Sequence, residues 1–264
     1  MKINILGASL LFTCIACSTP AEKMKSVESQ VEAQLELTDP EQLVADIESV
    51  HQKNTFKSFE VVEFDLNLVF GGKKRFEGRI YMMTDGSRVK MEDSSSTKLW
   101  DGDKAMVLPD TLDNESARFA LLTWSYFFAA PYKLSDPGTK HEFLGQLPLA
   151  ESEFSANRMT FGNGVGDTPD DWYVVYKDNN SDLLAAMAYI VTGGGNSVEE
   201  AEKDPHAITY EAYTELGGIP FATQWNFWTW TKEGKMNKLL GSASVSNIRL
   251  VKKAGDLFRS TDSI

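Results

Sequence analysis

The sequence is short of the residues that most site chemistry needs. Its 264 residues include two cysteines, Cys14 and Cys17, and three histidines, His51, His141 and His206. Two thiols cannot complete a structural zinc site without further ligands. A redox pair needs a strand before it and a helix start after it. Here the pair closes an apolar segment, Ile3 to Ala16, and has neither flank. No Gly-x-Ser-x-Gly elbow and no His-Glu-x-x-His pair occurs, and no histidine has a local acid or nucleophile pattern. Catalysis, a resident metal and other cofactors are therefore not expected. Positive charge is also scarce: 26 Lys and Arg stand against 38 Asp and Glu, a formal net charge of −12. Such a chain, with no basic stripe, repels nucleic acid, and that class of partner is excluded. Long apolar runs are missing too, since a membrane-crossing helix takes about 20 such residues. No internal repeat occurs.

What is present begins with an address. Met1 and Lys2, the apolar segment and the small residue Ala16 have the make-up of a secretory signal. The stretch "CIACS" resembles the bacterial lipoprotein signal, with Ala16 before the cut and Cys17 as the lipid-modified residue. Cys14 stands where such signals usually carry Leu, and an ordinary secretion signal is the alternative. On the lipoprotein reading, residues 1–16 are the signal, 17–37 are the acylated cysteine and a polar tether, and 38–264 are a single domain. The partner is then a membrane, reached through the lipid. By the sorting pattern of such lipoproteins, Ser18 after the cysteine implies the outer membrane of a two-membrane cell. The oligomeric state is left open.

The domain opens with a helix. Thr38 or Asp39 can cap it, Pro40 suits its first turn, and Leu43, Val44, Ile47 and Val50 form one apolar face. His51 ends that face and reads as structural. Strands follow. In "VVEFDLNLVF", Val62, Phe64, Leu66, Leu68 and Phe70 alternate with polar residues. "RFEGRIYMM" puts Phe76, Gly78, Ile80 and Met82 on one side, "RVKME" turns Val89 and Met91 inward, and "LWDGDKAMVLP" is a hairpin around Asp101-Gly102. Consecutive hairpins of this kind make an antiparallel meander with one dry face. Residues 113–134 then run apolar almost all round between Ala117 and Tyr132, which predicts a helix buried on every side inside a curved sheet. Strands resume after it, as far as "KLLGSASVSNIRLV".

The long alternating strand, "GRIYMMTDGSRVKME" and "LWDGDKAMVLPD" resemble the start of the LolA/LolB-like lipoprotein-carrier superfamily. "DWYVVYKDNNSDLLAAMAYI" and "ITYEAYTELGGIPFATQW" resemble its later hairpin and its Gly-x-x-x-Pro strand, and "YFFAAPYKLSDPGTK" is similar to an uncharacterised family of bacterial surface lipoproteins with that fold. The resemblance spans residues 55–250. It implies a mainly β, α+β fold: an incomplete antiparallel β-barrel with helices packed in its concavity. It also implies a hydrophobic ligand, a lipid or lipoprotein acyl chain, held in that concavity. An anchor of its own would make the chain more similar to LolB than to LolA.

The remaining motifs are weak. "GNGVGD" and "TGGGN" lack the strand–loop–helix setting and the Lys of a phosphate loop. Asp178, Asn180 and Asp182 imitate half a calcium loop, but Leu183 and Tyr189 occupy the positions where that loop needs Gly and Glu, so a hairpin turn is expected. Asp167, Asp170 and Asp171 offer at most a weak calcium site on an exposed loop, and no metal is expected there. "QWNFWTWT" places Trp225 and Phe227 on one face of a strand and Trp228 and Trp230 on the other. The expected ligand-binding set joins Phe64, Leu66, Leu68, Ile80, Met82 and Met91 from the early strands, Trp124, Phe127 and Phe128 from the apolar helix, and Trp225 and Phe227. The alternative is a non-enzymatic scaffold or protein-interaction lipoprotein whose core is filled.

Overall fold

The structure, a computed structural model, describes residues 39–109 and 113–259. The expected signal peptide, Cys17 and the tether lie outside the described residues. The backbone is organised around one sheet of twelve antiparallel strands. The first five are β1 (Val61–Phe70), β2 (Lys73–Met83), β3 (Val89–Asp93), β4 (Thr97–Trp100) and β5 (Ala105–Leu108). Next come β6 (Thr139–Leu149), β7 (Ser152–Phe161), β8 (Tyr173–Lys177) and β9 (Leu184–Tyr189). The last three are β10 (His206–Leu216), β11 (Ile219–Trp230) and β12 (Met236–Val251). Every neighbour in the sheet is a neighbour in sequence except β1 and β12, so the order runs β5 to β1, then β12 back to β6.

This order explains the helix in the concavity. After β5 the chain stands at one edge of the sheet, and β6 forms the other edge. It returns through α3 (Asn114–Ala129) and a 3₁₀ turn, Ala130–Tyr132, on the concave side. Before the sheet, α1 (Pro40–Val50) and the short α2 (Lys53–Lys57) pack beside that turn, and a final one-turn α4 (Val198–Ala201) lies between β9 and β10. The sheet is not closed; it is the incomplete antiparallel barrel expected, with helices in its curve. Register shifts in β1 (Glu63/Asp65), in β6 (Phe143/Gly145) and in β11 (Phe227/Trp228) add the local twist that bends the strands. Gly78 lets β2 and β3 approach, since a Cβ there would lie 2.1 Å from the Glu92 carbonyl oxygen.

The period-two pattern emerges as expected. Phe64 faces Ile80 across β1–β2, and Ile80 faces Met91 across β2–β3, giving a continuous apolar concave surface. One hairpin was not expected. The β3–β4 turn is built by Asp93, whose carboxylate accepts N–H bonds from Ser95 and Ser96 and the ammonium of Lys98. Asp39 is the α1 cap, its carboxylate accepting the Glu41 N–H at 2.8 Å. The α3 helix departs from expectation. Its inner residues Leu121, Phe127 and Phe128 are buried, but Phe119 on its outer side is 51 % exposed. A helix that roofs an open half-barrel has sheet on one side only, so apolar composition all round does not bury it all round.

Candidate functional site

The expected site residues meet on the concave face. Phe64, Leu66 and Leu68 from β1, Ile80 and Met82 from β2, and Met91 from β3 share one buried cluster with Trp225 and Phe227 of β11 and with Phe127 and Phe128 of α3. Trp124 is half-buried against the same cluster. Trp230 belongs to a separate cluster on the opposite face with Trp172 and Tyr176. The two-sided aromatic pattern of β11 thus reports two cores, one on each face of the sheet.

The rings interlock. Phe128 stacks on Phe64 with centroids 3.9 Å apart and on Phe221 at 5.7 Å. Phe127 meets Tyr189 at 5.1 Å and Phe227 at 5.9 Å, and Trp124 meets Phe227 edge-on at 5.9 Å. Such pairs contribute about 0.5–1.5 kcal/mol each beyond their area burial. A void of about 10 Å³ lies to one side, between the 3₁₀ turn and β10–β11. Ligand pockets are typically roughly 300–1,000 Å³, whereas this space suits about one water. It touches Phe128 and Trp225 of the expected set and is otherwise lined by His51, Tyr132, Tyr210, Tyr213, Pro220 and Phe221.

Two sets of polar ties hold the roof. Arg118, near the start of α3, forms an ion pair with Asp167 of the β7–β8 loop, with Nε 3.1 Å from Oδ2. Its guanidinium lies 4.4 Å above the ring of Trp100, at the end of β4. At the other end of α3, the Tyr210 hydroxyl donates to the Phe127 carbonyl at 3.0 Å. Asp167 is therefore a partner of the roof helix, and Asp171 is tied to Thr192 and Thr168, so the acidic loop has structural work. Asp178 accepts the N–H groups of Asn180 and Ser181 in the β8–β9 hairpin, the turn expected there.

His51, read from the sequence as structural, is buried in the fold. It is 1 % exposed, and its Nε2 accepts the Leu184 N–H at 3.2 Å, which puts the ring proton on Nδ1. Burial, only partly offset by the Pro220 carbonyl, lowers its pKa to about 4. The ring is neutral at ordinary pH. His141 and His206 are shifted down too, again chiefly by burial, which outweighs the nearby carboxylates of Glu48 and Asp204 respectively. Among the described residues no group of three His, Cys, Asp or Glu is placed to hold a metal ion. Among them, too, no helix is long and apolar enough to cross a membrane. Burial pushes the phenols of Tyr126, Tyr173 and Tyr189 well up, so these hydroxyls stay protonated donors.

An open, strongly curved antiparallel sheet roofed by a helix on its apolar side defines the LolA-type fold, and solved structures share it. A LolA superfamily protein from Nitrosomonas europaea superposes with a TM-score of 0.51 at 11 % identity, over 82 % of this chain and 98 % of that one. A DUF1329 family protein from Desulfovibrio piger gives 0.54 at 14 % identity, over 86 % and 99 %. No protein-family model matches the chain, and no curated protein is significantly similar in sequence.

Proposed function

We propose that this protein is a lipid-anchored protein of the bacterial envelope that binds or transfers a hydrophobic ligand, a lipid or lipoprotein acyl chain, on the concave face of its sheet. Its work is binding and not catalysis. The observation that carries this reading is the roof. A largely apolar concave face is covered by α3, with α1, α2 and the 3₁₀ turn beside it, and α3 carries the half-exposed Phe119 on its outer side and is held at its N-terminal end by a partly exposed ion pair. Ion pairs of that exposure contribute little, at most about 1 kcal/mol. Methionines on the concave face, Met82, Met91, Met159 and Met187, can repack around a flexible chain. The LolA-type fold supports the reading, as does the lipoprotein-like signal ending at Cys17. Binding then requires α3 to move, because the void beside it among the described residues has room for about one water.

The test is a titration of the purified protein with a fluorescent fatty-acid analogue. Saturable binding is expected, weakened tenfold or more (on the order of 1.4 kcal/mol per decade) in Leu66→Glu or Ile80→Glu protein that keeps the wild-type circular dichroism spectrum. Absence of saturable binding would favour the second reading, an envelope scaffold or interaction lipoprotein. The stacked, void-poor core and the half-exposed Phe119 on the outer side of α3 are what speak for that reading.

A further inference from the structure

One end of the sheet is basic in a chain whose formal net charge is −12. β1 ends in Val69 and Phe70, turns through Gly71 and Gly72, both at positive φ, and returns as Lys73, Lys74 and Arg75 of β2. The start of β12 lies against this turn, since the Gly71 N–H donates to the Leu240 carbonyl at 2.8 Å. Lys238 and Leu239 immediately precede Leu240, so Lys238 joins the three cations of β2 at one rim. The strand register gives that rim an apolar face. Val69 lies beside Lys74 on β2 and Ser242 on β12. Ser242 lies beside Asn226 on β11, and Leu239 lies beside Trp228, the next residue on that side of β11. Val69 is 39 % exposed and Leu239 50 %. The four cations are exposed as well, and among the described residues only Lys74 forms an ion pair, with Glu77. Arg75 donates to the Phe70 carbonyl at 3.0 Å, which holds its guanidinium at the turn.

We propose that this rim docks on the surface of an anionic phospholipid bilayer, with the cations on lipid phosphates and Val69 and Leu239 in the boundary between headgroups and acyl chains. Single exposed aliphatic side chains are ordinary. Two of them on one face, bordered by four cations and the carboxylate of Glu77, match a surface that is anionic outside and apolar beneath. A soluble anion or a nucleic acid meets the cations alone and leaves Val69 and Leu239 in water. Each Lys or Arg held near an anionic membrane strengthens attachment about fivefold, and the attraction fades within roughly 8 Å at physiological salt. Exposed side chains at a hairpin turn can come that close. The proposal goes beyond the carrier reading and does not depend on it: an anchor holds the domain near a membrane, whereas the rim sets which end of the sheet faces it.

The experiment uses the full chain with both native cysteines replaced, Cys14→Ser and Cys17→Ser, and a polarity-sensitive nitrobenzoxadiazole label on Leu239→Cys. A second preparation carries the label on Lys253→Cys, exposed beyond the far end of β12. Each is titrated with vesicles of phosphatidylcholine alone and of phosphatidylcholine mixed with phosphatidylglycerol. The mixed vesicles are expected to shift the Leu239→Cys emission to the blue in a saturable way, with little change on neutral vesicles and none at Lys253→Cys. Lys74→Glu combined with Lys238→Glu, both at exposed positions, should weaken that response by about tenfold or more. Insertion of the apolar segment Ile3 to Ala16 into the vesicles would not respond to those charges. Equal responses from the two labels, equal responses to the two kinds of vesicle, or an undiminished response in the charge-reversed protein overturns the proposal. So does an unmoved Leu239→Cys label, which would leave the cations to an acidic protein. Each of these outcomes leaves the carrier reading standing.

Discussion

At the scale of single residues, His51 carries the clearest pH dependence. Burial holds its folded pKa near 4, below the ordinary 6.5, so between those values the unfolded chain binds the extra proton. Stability from this residue is complete above that window and is lost as pH falls from 6.5 towards 4. The loss amounts to about 3 kcal/mol. His141 and His206 are shifted in the same direction, so the measurement is a difference: urea denaturation from pH 7 to pH 4 on wild-type and His51→Phe protein. The variant should show a shallower fall by about that amount, and parallel curves would contradict the assignment. Asp65 and Asp93 are held below the usual carboxylate range by hydrogen bonds and neighbouring cations working against partial burial, so their losses come at lower pH and leave this window clear. The sequence places His51 at the end of an apolar helix face and reads it as structural. The partner that fixes its tautomer, Leu184, lies 133 residues away, and no local pattern could reveal it.

At the scale of elements, α3 was legible as a helix and as a core component, because cap, length and composition are local properties. Its sidedness was not. Apolar residues all round predict burial all round, and only the fold shows that Phe119, on the side of this crossover away from the sheet, is half-exposed. The two faces should therefore respond differently to truncation. Phe128→Ala removes a ring stacked on Phe64 and Phe221 and should cost about 3–5 kcal/mol. Phe119→Ala on the outer side should change stability by less than about 0.5 kcal/mol. Chemical denaturation of both variants checks this, and comparable losses would mean that Phe119 is covered. Strand positions were legible for the same local reason: Phe64, Leu66 and Leu68 alternate with polar residues, and all three face inward. The pairing of β1 with β12, which brings Trp225 and Phe227 to the early strands, joins distant segments and had to come from the fold.

At the scale of the whole molecule, the account joins an anchor to an apolar concavity. If Cys17 carries lipid, Cys17→Ser should release the protein from the membrane fraction and Cys14→Ser should not, since acyl chains contribute about 0.8 kcal/mol per buried CH₂. Unchanged fractionation of the Cys17→Ser protein would sink the anchor. The sequence showed which residues gather on the concave face. It did not show how tightly they pack, because ring stacking and the residual void depend on where α3 settles across a dozen strands. The central claim is that α3 leaves its seat to admit a ligand. The most direct measurement is a spin-label distance, by pulsed electron resonance, between Phe119→Cys on the outer side of α3 and Lys253→Cys beyond the end of β12, both exposed positions. The account predicts one distance in the free protein and a second, displaced population that grows to saturation as the acyl probe is added. A single distance that stays unchanged at saturating probe would contradict it.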